Sequence, residues 1–444
     1  MSALLSHTIG IPNDLEAFWM PSSANRAFKR RPRMVASAKD MYYYSPDGSK
    51  ILDAGAGLWC TNAGHNRESI VAAIQKQAAE LDFVSTFQYG HPKAFALASR
   101  IAELAPPSLD YVFFANSGSE GVESALKIAI AHHNVRGKAN RVRLIGRERG
   151  FHGMCFGGIS VGGIVHVRRL FGSLLAGVDH LPSTYNREQQ AFSKGEPKWG
   201  AHLADDLERL VQLHGDTIAA VIVEPMAGSN GVFPAPQGYL ERLRAICDKH
   251  EILLIFDEVV TGFGRLGHAF AAERYGVTPD MIVFAKGVTS GTVPMGGVIV
   301  SKAIYDSFMK GPDHASELPH GFTYSGHPLA CAAGLATLDL YRDEGLFERV
   351  KNMEPLWSEA MMQLKGPGVL DIRTVGLTCG IDLDPIRDAP GKRGFDAGEI
   401  AFFDQKVMIR ASGDTIILAP PFTLSESHIG EMVDRVRRAI DAVM

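Results

Sequence analysis

Four short runs in the middle of this chain constrain its fold more than any other feature: YVFFAN (111–116), AAVIVE (219–224), ILLIFD (252–257) and MIVFAK (281–286). They are rich in Val, Ile and Phe, and none alternates apolar with polar residues. A strand covered on one face alternates, whereas a strand buried on both faces does not. Stretches with helical period separate the runs, so the sequence predicts an α/β domain around a mostly parallel sheet. The clearest helix runs from 119 to about 134, where Val122, Ala125, Leu126, Ala129 and Ile130 make one apolar face. A second is predicted over 328–342, with a proline in its first turn. Past residue 345 helices mix with shorter strands such as GVLDIR and TIILAP, which predicts a smaller C-terminal α+β domain. Residues 384–394 read as an exposed excursion. The predicted division is an N-terminal segment (1–60), a large domain (61–340) and a small domain (341–444).

Composition narrows the function classes. A chain of 444 residues, 46% of them hydrophobic, can bury a large core. Its net charge of −4 offers no electrostatic case for nucleic acid or an anionic membrane. No apolar run approaches the roughly 18 residues of a membrane span. The opening MSALLSHTIGIPNDLEAFW lacks a basic region followed by an apolar one, so no signal peptide is expected. Five scattered cysteines without a CxxC pair suit a reducing compartment and no structural zinc. A cytoplasmic enzyme without a metal is the expectation.

Two of the apolar runs end in ionisable residues, Asp257 and Lys286. In open α/β sheets ligands bind outside the carboxyl ends of the strands. A lysine closing a buried strand is costly to hold charged, and its lowered pKa is what a Schiff-base lysine requires. An ion-paired or snorkelling lysine is the structural alternative. Asp257 has a matching task beside a protonated pyridine ring. At about 4 Å and an effective dielectric of 20 a carboxylate favours the ring cation by about 4 kcal/mol, or roughly three pKa units. Alternatively, Asp257 or Glu258 only caps the next turn.

The run YVFFAN leads straight into Ser117, Gly118, Ser119 and Glu120 and then the helix. The first N–H groups of a helix lack partners and its dipole favours an anion, so this turn suits a phosphate. An ordinary N-cap with a capping glutamate is the alternative. Two nucleotide motifs fail. Gly391-Lys392 is followed by Arg393, not Ser or Thr, and the glycines of 262–267 stand five residues beyond the strand end.

Together these motifs resemble the class III aminotransferases of the fold type I pyridoxal-phosphate superfamily, and within them the ω-amino acid–pyruvate group. The resemblance runs through LEAFWMP (15–21), GLWCTNAGH (57–65), NSGSE (116–120), FHG (151–153), EPMAGSNG (224–231), LLIFDEVVTGFGRLG (253–267), AKG (285–287), GFTYSGHP (321–328) and RASGDTIILAPP (410–421). It implies that Lys286 carries pyridoxal phosphate and that Asp257 partners the ring nitrogen. Ser117, Gly118 and Ser119 would hold the phosphate, Phe151 would stack on the ring and Val259 would pack beneath it. His152 would sit beside the stacking position, and Glu224 near the cofactor hydroxyl. Thr323 is similar to a threonine that reaches the neighbouring subunit's phosphate, which implies a homodimer with shared sites and leaves tetramers open. Leu58, Trp59, Phe87 and Phe322 resemble substrate-pocket walls, and Arg410 resembles a mobile arginine that holds a substrate carboxylate.

Read alone, Trp59 is a core residue, His152 a satisfied histidine and Arg410 a solvated charge. Two departures bear on substrate range: Phe151 where the group often has Tyr, and Ser22 where it often has Phe. The implied reaction moves an amino group from an amine or ω-amino acid such as β-alanine to pyruvate. A 2-oxoglutarate transaminase, an aminomutase or a decarboxylase on the same fold, and a cofactor-binding regulator without turnover, remain the alternatives.

Overall fold

The computed structural model describes residues 15–444. The reading of the N-terminal leader for residues 1–14 lies outside them. A seven-stranded sheet is built from β1 (Tyr111–Ala115), β2 (Arg143–Arg147), β3 (Val178–Leu181), β4 (Ile218–Val223), β5 (Leu253–Asp257), β6 (Met281–Ala285) and β7 (Gly296–Val300). Its spatial order is β1-β7-β6-β5-β4-β2-β3. The pairings β6–β5, β5–β4, β4–β2 and β2–β3 are parallel, while β7 runs antiparallel to both its neighbours. The four apolar runs are thus strands of one sheet, and β2, β3 and β7 complete it.

Burial on both faces explains the missing alternation. Ile222, Ile255 and Val283 pack on one face under Val122, Ala125 and Ala129 of α1 (Gly118–Val135). The intervening Val221, Val223, Leu254, Phe256, Ile282 and Phe284 enter the core on the opposite face. Each such side chain contributes about 1.5–3 kcal/mol of burial, so a polar residue at either parity would be costly. Helix α2 (Pro328–Asp343) begins with the proline the sequence marks and packs against the helices Glu68–Glu80 and Pro92–Leu104.

After α2 a four-stranded antiparallel sheet forms from β8 (Val369–Val375), β9 (Thr378–Leu383), β10 (Arg410–Ser412) and β11 (Thr415–Leu418). α3 (Lys392–Phe403) packs against β10, and the C-terminal α4 (Glu426–Asp441) packs against α3. The exposed excursion is shorter than the sequence suggests, because α3 begins at Lys392. Asp414 caps that start from across the fold, its carboxylate accepting from the N–H groups of Gly391 at 2.6 Å and Gly394 at 3.1 Å. No neighbour of 391 in sequence signals this. Near the N-terminus the strands Tyr42–Tyr44 and Lys50–Asp53 pair with each other, and the latter pairs in parallel with Val407–Met408. Among the described residues no helix is long and apolar enough to cross a membrane.

Candidate active site

Strands β4, β5 and β6 are adjacent, and Glu224, Asp257 and Lys286 stand at their carboxyl ends. These three residues line a cavity of about 370 Å³, together with the 117–119 turn, Phe151, His152 and Val259. That volume lies in the range of small-molecule sites.

Lys286 follows β6 with a φ of +49°, in the left-handed region that costs a non-glycine residue energy. Its amine makes no hydrogen bond or ion pair among the described residues. Burial pushes that amine below the ordinary lysine range. Cys60 and Asp257 oppose the shift, and Arg410 adds to it. A strained backbone aiming a lone, readily neutralised amine into a cavity suits a nucleophile, and the ion-paired alternative has no partner among the described residues.

Asp257 is buried, and its two oxygens are held separately. Oδ2 lies 2.8 Å from His152 Nδ1, and Oδ1 accepts from the Val259 N–H at 3.1 Å. The neighbouring carboxylate is turned away. Glu258 accepts from Thr261 Oγ1 at 2.9 Å and from the N–H groups of Ala271 at 2.5 Å and Ala272 at 2.9 Å. It therefore caps the helix Ala271–Tyr275, which is the capping role the sequence leaves open between the two acids. Glu224 accepts from the N–H groups of Phe151 at 2.9 Å and Gly228 at 3.1 Å, and burial raises its carboxyl pKa. It thus fixes the backbone that presents the Phe151 ring.

The turn before α1 is a true N-cap. Ser117 Oγ accepts from the Glu120 N–H at 3.2 Å, and Glu120 reaches back to the Asn116 N–H at 2.7 Å. Capping does not consume the site, because the N–H groups of Gly118 and Ser119 take no acceptor among the described residues. Ser119 Oγ accepts from the Met154 N–H at 3.1 Å and retains its own proton to donate. Gly118 has no room for a side chain, since a Cβ there would stand 2.8 Å from Val259 Cγ2. The residues present fit pyridoxal phosphate: free amides and a hydroxyl for its phosphate, Asp257 for its ring nitrogen, and Phe151 and Val259 for its ring faces. Beside them the buried Nε2 of His152 has no partner among the described residues.

Other sequence-predicted residues fall elsewhere. Trp59 is 2% exposed and packs with Met226, Val260 and Ile417 in a core cluster rather than lining the cavity. Leu58 is 52% exposed and Phe87 51%. Thr323 is exposed and Phe322 half-buried, both on the loop before α2 and outside this chain's own cavity. Arg410 is half-buried, its side chain makes no hydrogen bond or ion pair among the described residues, and burial lowers its pKa. Ser22 lines a different cavity of about 420 Å³, shared with Phe28, Phe402 and Ala411. The sequence reading missed Cys60, Ser229 and Met295, which also line the main cavity. Cys60 and Ser229 lie within the motifs GLWCTNAGH and EPMAGSNG, which could have pointed to them, whereas Met295 follows Lys286 by nine residues with no motif of its own.

Comparison with known proteins agrees with this geometry. The profile of the family "Aminotransferase class-III" matches residues 24–440. An omega-aminotransferase of Caulobacter vibrioides is 58% identical over 433 residues, covering 97% of this chain and 98% of its own. A beta-alanine–pyruvate aminotransferase of Pseudomonas aeruginosa is 45% identical over 435 residues, covering 97% and 96%. Among solved structures, an amine transaminase from an uncultivated Pseudomonas species in its PLP-bound form superposes with a TM-score of 0.90 at 35% identity, covering 98% of this chain and 100% of its own. A sheet with acid and lysine at adjacent strand ends, a phosphate-ready helix start and relatives matching nearly end to end converge on one statement: this chain belongs to the class III aminotransferases, enzymes of fold type I that work with pyridoxal phosphate.

Proposed function

We propose that the enzyme transfers the amino group of an ω-amino acid or amine, β-alanine among them, to pyruvate, releasing an aldehyde or ketone and then alanine in a ping-pong sequence. The observation that carries the acceptor is Arg410. It is a half-buried guanidinium without a partner among the described residues, and its charge acts on Lys286. An unpaired, partly desolvated guanidinium calls for an anion, and a carboxylate matches it in two-pronged geometry. Both pyruvate and β-alanine carry one, and the relatives named for β-alanine and pyruvate support the same pair.

When bound, the cofactor supplies an electron sink for the charge that develops on the donor carbon. Lys286 Nζ, whose pKa burial lowers, would take the proton from that carbon and later return it. Asp257 would keep a proton on the ring nitrogen, and its own position is set by His152 and the Val259 amide. Gly118 and Ser119 would hold the phosphate with backbone amides, while Glu224 fixes the backbone that would present Phe151 to the ring. Arg410 pairs with the carboxylate and turns aside for an uncharged amine, because leaving a buried charge unpaired costs several kcal/mol.

The exposed Phe87 and Thr323 belong, in this reading, to the site of a second copy of the chain, making a homodimer with shared sites. The exposed Phe83, Tyr89, Phe95 and Tyr324 around them support such an apolar contact. Charge and composition support a cytoplasmic location. The separate antiparallel sheet after α2 supports a small domain near 341–444.

An acceptor panel tests the proposal. Pyruvate should outperform 2-oxoglutarate with the purified enzyme. Arg410→Ala should lower kcat/KM for pyruvate and β-alanine by roughly a hundredfold and barely affect an uncharged amine. Equal losses on all three would refute the role of Arg410.

A further inference from the structure

The loop that carries Leu58, Trp59 and Cys60 is wound against its own preference. Ala56 has a φ of +46° and Trp59 of +64°, two non-glycine residues in the left-handed region within four positions, with Gly57 at +65° between them. Such a conformation persists only where surrounding groups over-determine it. Here the group is Asp53, wholly buried at the end of the strand Lys50–Asp53. Its Oδ1 accepts from the Gly55 N–H at 2.9 Å and its Oδ2 from the Gly57 N–H at 2.7 Å. His65 Nε2 stands 2.7 Å from the same Oδ2. His65 is itself anchored, exchanging backbone hydrogen bonds with Asp40 at 2.8 and 3.0 Å. Tyr43 covers its ring at 4.3 Å.

The far end of the loop abuts the segment that follows Lys286. Ala63 donates to Ser290 Oγ at 3.0 Å, and a Cβ on Gly291 would stand 2.9 Å from Cys60 Cβ. Cys60 lines the cavity and Trp59 is locked in the core, so the loop meets the site with almost no slack. A shift at Gly55 or Gly57 is therefore passed on to Leu58 and Cys60.

We propose that Asp53 and His65 are positioning residues that set the wall of the cavity formed by Cys60, and so the size of donor accepted. The proposal rests on the aminotransferase reading above. Neither residue lines the cavity; both act through the loop.

The test compares His65→Ala, His65→Gln and Asp53→Asn as holoenzymes. Two quantities are read: kcat/KM for a bulky arylalkylamine relative to β-alanine, and the rate of Cys60 alkylation by N-ethylmaleimide, mapped by peptide mass. In His65→Ala and Asp53→Asn the bulky-to-small ratio should rise about tenfold, and Cys60 labelling should accelerate. In His65→Gln, whose amide N–H can reach the same carboxylate, both should return toward wild type. Folded His65→Ala with an unchanged ratio and unchanged labelling overturns the proposal. So does His65→Gln behaving like His65→Ala, because the histidine would then be mere filler. If Asp53→Asn does not fold, the two His65 variants still decide. Wild-type protein without turnover would refute the functional reading instead, and Cys60 labelling would still test the loop.

Discussion

Replacing Gly118 with alanine would drive a methyl group into Val259. The new Cβ would stand 2.8 Å from Cγ2 and 2.9 Å from Cγ1, with Ala285 Cβ at 3.5 Å. Carbon pairs prefer about 3.5–4.0 Å, so two contacts are too short by at least about 0.6 Å. Relief requires Val259 or the 117–119 turn to move, and overpacking of this kind costs about 1–3 kcal/mol. Either movement falls on the cofactor: one shifts the floor beneath its ring, the other the amides that hold its phosphate. Cofactor affinity should therefore drop by roughly fivefold to a hundredfold, read by titrating apoenzyme and following absorbance or quenched protein fluorescence. Gly430→Ala is the control. Gly430 is exposed on α4 with nothing within 4 Å of a Cβ, so alanine there should raise stability by about 0.8–1 kcal/mol without touching cofactor binding. The double variant Gly118→Ala/Val259→Ala removes both offending methyls and should recover much of the lost affinity. If Gly118→Ala binds cofactor as the wild type does, or the double variant binds no better than the single, the steric reasoning is wrong.

Two further outcomes are expected. Lys286→Ala should abolish borohydride-fixable cofactor together with turnover; a fixable adduct surviving in that variant would remove Lys286 from its role. Burial pushes the Glu258 carboxyl up from 4.5 to about 7, outweighing the Ala271, Ala272 and Thr261 hydrogen bonds. A carboxyl with a raised folded-state pKa holds more protons folded than unfolded, so its contribution to stability declines as pH rises from about 4.5 toward 7. That decline is at most about 3 kcal/mol. It should vanish in Glu258→Gln, measured as the difference in unfolding free energy at pH 5 and pH 8.

The sheet was legible because its cause is local and repetitive. Runs such as ILLIFD must be buried at both parities, and no other common arrangement tolerates five apolar residues in a row so cheaply. Strand β7 was not legible in the same way. It brings two glycines, and a Cβ on Gly296 would stand 2.4 Å from the Ser117 carbonyl oxygen, a reason visible only in the fold. The N-terminal half of the site could be read from the strand–turn–helix order at 111–135, and Asp257 and Lys286 from their places at strand ends. Trp59 and Ser22 could not be placed, since a residue's distance along the chain says nothing of which packed face receives it.

The sequence by itself therefore determined the class of fold, the carboxyl edge where chemistry gathers and the residues able to perform it, because strand periodicity and helix starts are properties of near neighbours. Only the tertiary structure decided between adjacent acids, turning Asp257 to the cavity and Glu258 to a helix cap. It alone left the Arg410 and Lys286 side chains without partners among the described residues, and it alone bent the loop at 55–60 around Asp53. These outcomes depend on which distant segments pack together, and that packing sets the burial and pairing on which each charge depends.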